Sequence, residues 1–288
     1  MRIRSLLYVP ASSPRFVAKA HERGADAIIL DLEDAVAPAQ KDAARQRLAE
    51  AVPMVRRNGA AVFVRVNSEL ERLHLDAEAA CLAGADALMV PKTRAPSALA
   101  ALSDFLSGIE KAAGRAAMRL VPMIEDAGAV LDARAIATAS SRVFALMTGG
   151  EDLATALGAE PTPDVLRVPK LMVHLAAKAA GLRSFGLLRT VADYNDLDGI
   201  TQSAAEARRH GFDGASCVHP KVVPILNRAF SPSEAELAKT RALIAAAEKA
   251  AAEGAGAFEF EGRMVDEPVV KRARALIEKA RIEKASGA

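Results

Sequence analysis

No stretch of this sequence approaches the roughly 18 consecutive apolar residues of a membrane span, so a soluble chain without a membrane partner is expected. Cysteine is nearly absent. Cys81 and Cys217 stand alone, without CxxC spacing, which argues against a disulfide scaffold and a zinc knuckle alike. Neither sign of charge prevails: 38 lysines and arginines against 36 aspartates and glutamates leave +2. That is too balanced for a dedicated nucleic-acid binder, although local basic spots can hold phosphates. The five histidines, His21, His74, His174, His210 and His219, form no HxxxH or HxH pair, which sets zinc aside. No GxGxxG follows an apolar run, so the turn of a dinucleotide fold is missing. Aromatics are only 4%, and the rest is ordinary, alanine-heavy and helix-rich. The start, MRIRSLLYVPASSP, has two arginines and an apolar run as a signal peptide would. That run stops at Pro10, too short for an h-region, so a first core strand and a cytoplasmic protein are expected.

What is present is an alternation of two patterns. GADAIIL (24–30), GADALMV (84–90) and GFDGASCV (211–218) form a weak repeat with Asp two residues after Gly. Each follows a helical-looking segment, so the glycine fits a left-handed helix cap and the apolar run a buried strand. IRSLLYV (3–9), AAVFVRV (60–66), MRLVPMI (118–124), RVFALM (142–147) and LRSFGLL (182–188) bring the expected strands to eight. Helical periodicity fills 41–55, 70–83, 96–113 and 164–180. Strands apolar on both faces suit a buried parallel sheet. Eight evenly spaced units favour a closed (β/α)8 barrel over an open doubly wound sheet. The barrel is expected over residues 1–230, ending in a short helix from Pro220 to Arg228, and a C-terminal helical extension over 231–288. In that extension a helix capped at Ser231 or Ser233 runs to about Glu253, a Gly-rich loop covers 253–268, and a last helix covers 269–284. Val269, Val270, Ala273, Leu276, Ile277 and Ala280 make an apolar stripe on that helix. It is expected to dock on its own barrel or a neighbour's.

Chemistry in such a barrel gathers at the C-terminal ends of the strands. There the sequence places Asp31, Glu33 and Asp34 (strand two), Arg65 and Asn67 (three), Lys92 (four) and Glu125 and Asp126 (five). Gly149, Gly150, Glu151 and Asp152 follow strand six, and His219 follows strand eight. Each charge alone is what a solvated strand end shows; six polar ends converging on one rim say more. So many carboxylates repel one another unless a cation sits among them. With zinc set aside, the expectation is Mg2+, or Mn2+ in its place, held by one or two carboxylates with substrate oxygens and water. The glycine pair either lets backbone approach a ligand or only turns the chain from strand to helix. A metal beside Arg65 suits a substrate that chelates through a carboxylate and an adjacent carbonyl or hydroxyl. Arg65 would stabilise oxyanion charge as an enolate forms. The residues alone point to a Mg2+-dependent lyase or aldolase on a 2-oxo acid.

In order along the chain, RSLLYVPASSPRFVAKA, DAIILDLEDAV, VFVRVN, LMVPK, VPMIED, GGEDLATALG, GFDGASCVHP and FSPSEAE resemble the HpcH/HpaI aldolase and citrate lyase β-subunit family. That family includes malyl-CoA, citramalyl-CoA and citryl-CoA lyases. The DLEDAV, VRVN and CVHP-with-FSPSE blocks are specific together, not singly. The resemblance implies a TIM barrel in which Glu125 and Asp152 ligate Mg2+, while Arg65, beside Glu125, binds the 2-oxo acid and steadies the enolate. It implies CoA phosphates near Arg15 and Lys19, where solvated helix charges are the plainer alternative. It also implies that GRMVDEP crosses to an adjacent subunit and delivers Asp266 as general acid or base, hence a homotrimer or homohexamer. Otherwise Asp266 is a helix N-cap before Pro268. Strand alternation would turn Asp31 and Glu33 one way and Asp34 the other. Glu33 and Asp34 are then read as groups that bind metal waters or orient Arg65 and Lys92. Asp31 is read as a cap of local backbone, His219 as a hydrogen-bonded rim residue, and Lys92 alternatively as a partner of the same acids.

The chain departs from the family pattern at Ala11, where relatives carry Gly, and at Asp126, which adds a negative charge beside Glu125. LRVPKLMV (166–173) lacks the arginine of the usual Y-A-R-S block, and SFGLLRTVADYND (184–196) lacks the usual starting aspartate. The expected activity is cleavage of a 3-hydroxyacyl-CoA (citryl-, malyl- or citramalyl-CoA-like) to an acyl-CoA and a 2-oxo acid. The alternatives are a class II aldolase on free 2-oxo acids and aldehydes, or a citrate lyase β-type subunit active only with an acyl-carrier partner.

Overall fold

The structure is a computed structural model and describes residues 3–286. Two compact units divide the chain, Ile3–Phe230 and the segment from Ser231 onward. The first contains eight parallel strands: β1 (Ser5–Pro10), β2 (Ala27–Asp31), β3 (Ala61–Arg65), β4 (Ala87–Val90), β5 (Arg119–Ile124), β6 (Ala145–Thr148), β7 (Arg183–Phe185) and β8 (Ala215–Cys217). They pair in the order β7-β6-β5-β4-β3-β2-β1-β8. A parallel bridge from Phe185 to Gly214 then brings β7 against the start of β8, with Gly186 N–H donating to the Gly214 carbonyl at 2.9 Å. The sheet is a TIM barrel, as expected.

Two apolar layers explain why the strands read as unbroken hydrophobic runs. Leu6, Ala27, Ile29, Ala61, Phe63, Met89, Val121, Met123, Met147 and Phe185 point inward and fill the barrel. Their alternates, including Leu7, Ile28, Leu30, Val62, Val64, Leu88 and Leu146, face the helices. Both faces are dry along most of their length, so both are mainly apolar.

The repeat has a structural meaning at the opposite, N-terminal end of the barrel. Gly24, Gly84 and Gly211 are left-handed helix caps. The aspartate after each accepts an N–H from the preceding neighbour strand: Asp26 from Arg4 at 2.8 Å, Asp86 from Val62 at 2.7 Å, Asp213 from Ser184 at 3.0 Å. A cation pairs with each, Arg4, Arg56 and Lys178 respectively. The motif therefore ends a helix, opens a strand and stitches that strand to its neighbour.

In the second unit, Ser233 caps the helix Glu234–Ala252 by accepting from Glu236 N–H at 3.1 Å. The segment read as a Gly-rich loop holds an antiparallel hairpin, β9 (Phe258–Phe260) and β10 (Arg263–Val265). Its two-residue turn, Glu261–Gly262, has positive φ at both positions, as type I′ hairpin turns require. The last helix is Glu267–Ser286, and the first two residues of its apolar stripe pack within this unit. Val269 and Val270 pack with Leu243, Ala247, Phe258, Phe260 and Val265.

Candidate active site

The barrel's inward positions change character at their last step. On β2 they run Ala27, Ile29, Asp31; on β3 Ala61, Phe63, Arg65; on β5 Val121, Met123 and then Glu125 just past the strand. A cavity of about 420 Å3 opens above this layer, lined by Tyr8, Asp31, Asp34, Arg65, Glu125, Gly149 to Asp152, Lys170 and Thr190 among others.

Arg65 lines it and is nearly buried. Nε donates to Asp31 Oδ1 at 2.7 Å and Nη2 to Asp31 Oδ2 at 2.6 Å, while Nη1 reaches Asp34 Oδ2 at 3.0 Å and Glu33 Oε2 at 3.1 Å. Burial works against the guanidinium charge, and Asp31, Tyr8 and Glu33 together more than restore it. The face of Tyr8 lies 5.0 Å from the guanidinium carbon, adding a cation–π contact. This corrects two expectations. Strand alternation does not divide the three acids, because β2 ends at Asp31 and the chain turns back, with Glu33 and Ala35 N–H donating to the Asp31 carboxylate at 2.9 and 3.2 Å. And Asp31 is not only a backbone cap: it is also the bidentate partner of Arg65.

Glu125 is 4% exposed. Its Oε2 accepts from Lys92 N–H at 2.6 Å, which a left-handed turn at Lys92 (φ 49) aims inward. Its Oε1 is buried without a hydrogen-bond partner. Gly149 makes the space for it, since a Cβ there would stand 2.3 Å from Oε1. Burial first, then the Asp152 and Glu33 charges, push the Glu125 carboxyl up to about 7. The Lys92 ammonium lies 3.1 Å from Glu33 Oε1. Burial pushes Glu33 up to about 7 as well, with Arg65 pulling the other way.

A buried carboxylate oxygen with no donor, beside a second acid, fits a hard divalent cation. Glu125 and Asp152 both line the cavity, and the Asp152 charge acts on Glu125, so these two carboxylates could hold one. Among the described residues, no group of three or more His, Cys, Asp and Glu side chains forms a metal cluster. A cation here would therefore draw most of its ligands from substrate and water, as Mg2+ does.

The remaining predicted residues fall elsewhere. Asp126 turns away from the cavity: it caps the helix Ala127–Leu131 through Ala129 N–H at 2.9 Å and pairs with Arg94 at 2.9 Å. Its charge is thus already matched, which corrects the expectation of added charge beside Glu125. His219 Nδ1 accepts from Lys221 N–H at 3.2 Å and its ring stacks on Tyr194. Arg15 and Lys19, on the helix Pro14–Ala20, line a separate cavity of about 480 Å3 with Phe16, Arg23 and His219. Tyr8, Pro10 and Val218 line both cavities. Asp266 directly precedes the last helix, in the second unit.

One cavity residue escaped the sequence reading. Lys170, on the helix Pro163–Ala179, is 5% exposed and donates to the Leu187 and Arg189 carbonyls at 3.0 and 2.7 Å. Burial lowers its amine to about 8. It sits inside LRVPKLMV, where attention fell on a missing arginine; a lysine among the apolar residues Val168, Pro169, Leu171, Met172 and Val173 was the available signal.

The chain is 34% identical to citrate lyase subunit beta of Escherichia coli strain K12, with 97% of this chain and 93% of that protein aligned. It is 35% identical to a (3S)-malyl-CoA thioesterase of Cereibacter sphaeroides, over 96% of this chain and 94% of that one. The crystal structure of CitE from Mycobacterium tuberculosis in complex with magnesium, acetoacetate and coenzyme A superposes with a TM-score of 0.78 at 33% identity, covering 96% of this chain and 97% of that chain. Residues 4–220 match the family described as HpcH/HpaI aldolase/citrate lyase, and the chain belongs to that family.

Proposed function

We propose that this protein is a Mg2+-dependent carbon–carbon lyase that cleaves a 3-hydroxyacyl-CoA to an acyl-CoA and a 2-oxo acid. The observation that carries the reading is Glu125, a buried carboxylate with one oxygen left without a donor, in a cavity whose floor Arg65 occupies. Glu125 and Asp152 would hold the cation. When bound, it would draw electron density from the oxygen of the 2-oxo acid half and offset the crowded acids.

Arg65 would bind the same half. Asp31 fixes two of its nitrogens, while Asp34, its side chain 54% exposed, is the partner a substrate oxygen can most easily replace. Asp266 is proposed as the acid–base group, acting at the site of an adjacent subunit in a homotrimer or homohexamer. It takes the proton of the 3-hydroxyl; the C2–C3 bond breaks and its electron pair passes into the thioester as an enolate. The proton then returns to C2, giving the acyl-CoA. The cavity bounded by Arg15 and Lys19 would take the phosphates of CoA, because it opens next to the catalytic one and carries three basic residues at its wall, Arg15, Lys19 and Arg23.

Hydrolysis of the thioester is the second reading, favoured by the malyl-CoA thioesterase relative. The experiment is a panel of malyl-, citramalyl- and citryl-CoA with Mg2+, following 2-oxo acid and free thiol separately and repeated with Glu125→Gln. A 2-oxo acid released without thiol, and lost in the variant, supports the lyase. Thiol without 2-oxo acid replaces it with a thioesterase. Silence on every ester, with pyruvate still bound in a Mg2+-dependent way, moves the assignment to a free-acid aldolase or to an acyl-carrier-dependent subunit.

A further inference from the structure

We propose that Lys170 determines specificity by binding a second carboxylate on the 2-oxo acid half of the substrate, so that the site selects a dicarboxylic 2-oxo acid such as oxaloacetate over a monocarboxylic one such as pyruvate. The inference rests on the lyase reading above and deepens it to a substrate class.

Five carboxylates line the cavity, those of Asp31, Asp34, Glu125, Glu151 and Asp152, against the cations Arg65 and Lys170. Arg65 already faces Asp31, Glu33 and Asp34. Lys170 is different. Its ammonium donates to two backbone carbonyls, and among the described residues no carboxylate lies within ion-pair distance of it. Glu151 acts on it only across space and is itself hydrogen-bonded by Thr190. A buried ammonium without a counterion is costly. Two of its three N–H groups are used, which leaves one donor and the charge for a ligand.

A Cβ on Gly149 would meet Glu125 Oε1 at 2.3 Å, and a Cβ on the next residue, Gly150, would meet Lys170 Nζ at 3.2 Å. Successive Cα atoms are about 3.8 Å apart. The donor-free carboxylate oxygen and the counterion-free ammonium therefore flank one glycine pair, and both residues line the same cavity. An anion held at the Glu125 end by its carboxylate and carbonyl oxygens meets Lys170 with whatever extends from its other end. A methyl group there gains nothing from an ammonium; a carboxylate gains a charge-assisted hydrogen bond. The glycines leave room for the Glu125 and Lys170 side chains themselves, which a Cβ at either position would crowd.

The test is calorimetric titration, with Mg2+ present, of oxaloacetate and of pyruvate into wild type, Lys170→Met and Lys170→Arg. Wild type is expected to bind oxaloacetate at least about tenfold more tightly than pyruvate, the scale of one charge-assisted hydrogen bond. Lys170→Met should bring that ratio to within about twofold, and Lys170→Arg should keep part of it. No preference in wild type, or the full ratio surviving in Lys170→Met, overturns the proposal. If neither acid binds wild type in a Mg2+-dependent way, the lyase reading fails and this proposal fails with it. Pyruvate bound as tightly as oxaloacetate sinks this proposal alone. A melting curve checks that Lys170→Met is folded; if it is not, the wild-type and Lys170→Arg ratios decide.

Discussion

Asp31 and Arg65 occupy paired register positions on β2 and β3 and are joined by two hydrogen bonds of 2.7 and 2.6 Å. The register places the acid of one strand level with the base of the next, both pointing into the barrel. Removing one partner of such a buried pair strands the other. Asp31→Asn keeps an oxygen for the Glu33 N–H but loses the charge. Because Glu33 and Asp34 remain, the expected destabilisation is about 3 kcal/mol, the low end of the penalty for breaking a buried pair. Urea denaturation measures it. Pyruvate affinity in Mg2+ should fall about tenfold as the guanidinium loses its fixed orientation. An unchanged affinity would mean that Asp31 is only scaffolding.

Gly149 is required by space rather than by backbone angle. Gly149→Ala puts a methyl group where the Glu125 carboxylate stands, so Glu125 must rotate and give up the Lys92 N–H. Mg2+-dependent binding of pyruvate is expected to drop at least about tenfold, the loss of one charge-assisted hydrogen bond or more. Gly108→Ala is the control. Gly108 lies in the helix Pro96–Ala113 with open space around its Cβ position, so alanine there should stabilise the fold by roughly 0.5–1 kcal/mol and leave binding alone.

The raised carboxyl of Glu125 makes stability depend on pH in a defined direction. Between 4.5, its ordinary value, and about 7, the folded chain holds a proton there that the unfolded chain does not. The contribution is fully present below 4.5 and is lost as pH rises through about 7. That rise corresponds to roughly 3 kcal/mol. Thermal unfolding in EDTA should therefore weaken from pH 5 to pH 8, and Glu125→Gln should flatten that slope by its share. Added Mg2+ should stabilise more at pH 8 than at pH 5.5, because the proton and the cation compete for one carboxylate. Equal stabilisation at both pH values would argue against Glu125 as a ligand.

Much of this was legible in the chain because the strands are dry on both faces and the helix caps are glycines. Eight apolar runs became eight strands, and the polar residues after six of those runs marked the rim. What the sequence hid was geometry that depends on where a strand stops. Alternation past Asp31 assigned opposite directions to Glu33 and Asp34, but the turn closing on the Asp31 carboxylate cancels the alternation. The short helices Ala127–Leu131, Ala133–Ala137 and Gly150–Leu157 have too few turns for a periodic signal. The hairpin over 258–265 was masked by its glycines, although Glu261–Gly262 between alternating apolar residues was a turn signal. Lys170 stayed hidden because one lysine in a helix is usually solvated, and only the fold buries it.

Asp266 supplies the last prediction, which tests the acid–base assignment and subunit sharing together. Asp266→Ala should abolish turnover while keeping Mg2+-dependent pyruvate binding, because the proposed ligands lie in the barrel and the proposed acid does not. Loss of activity alone would not say whose site Asp266 serves. Mixing settles it. Asp266→Ala chains carry intact barrels, and Glu125→Gln chains carry intact Asp266; each is dead by itself. If Asp266 acts in a neighbour's barrel within a closed ring, refolding an equal mixture pairs a working barrel with a working aspartate at about one site in four by random assembly. Roughly a quarter of wild-type activity should return. If Asp266 serves its own barrel, every site keeps one defect and nothing returns. Complementation would also require that the protein is an oligomer, which sedimentation of the active mixture should record as a single assembled species.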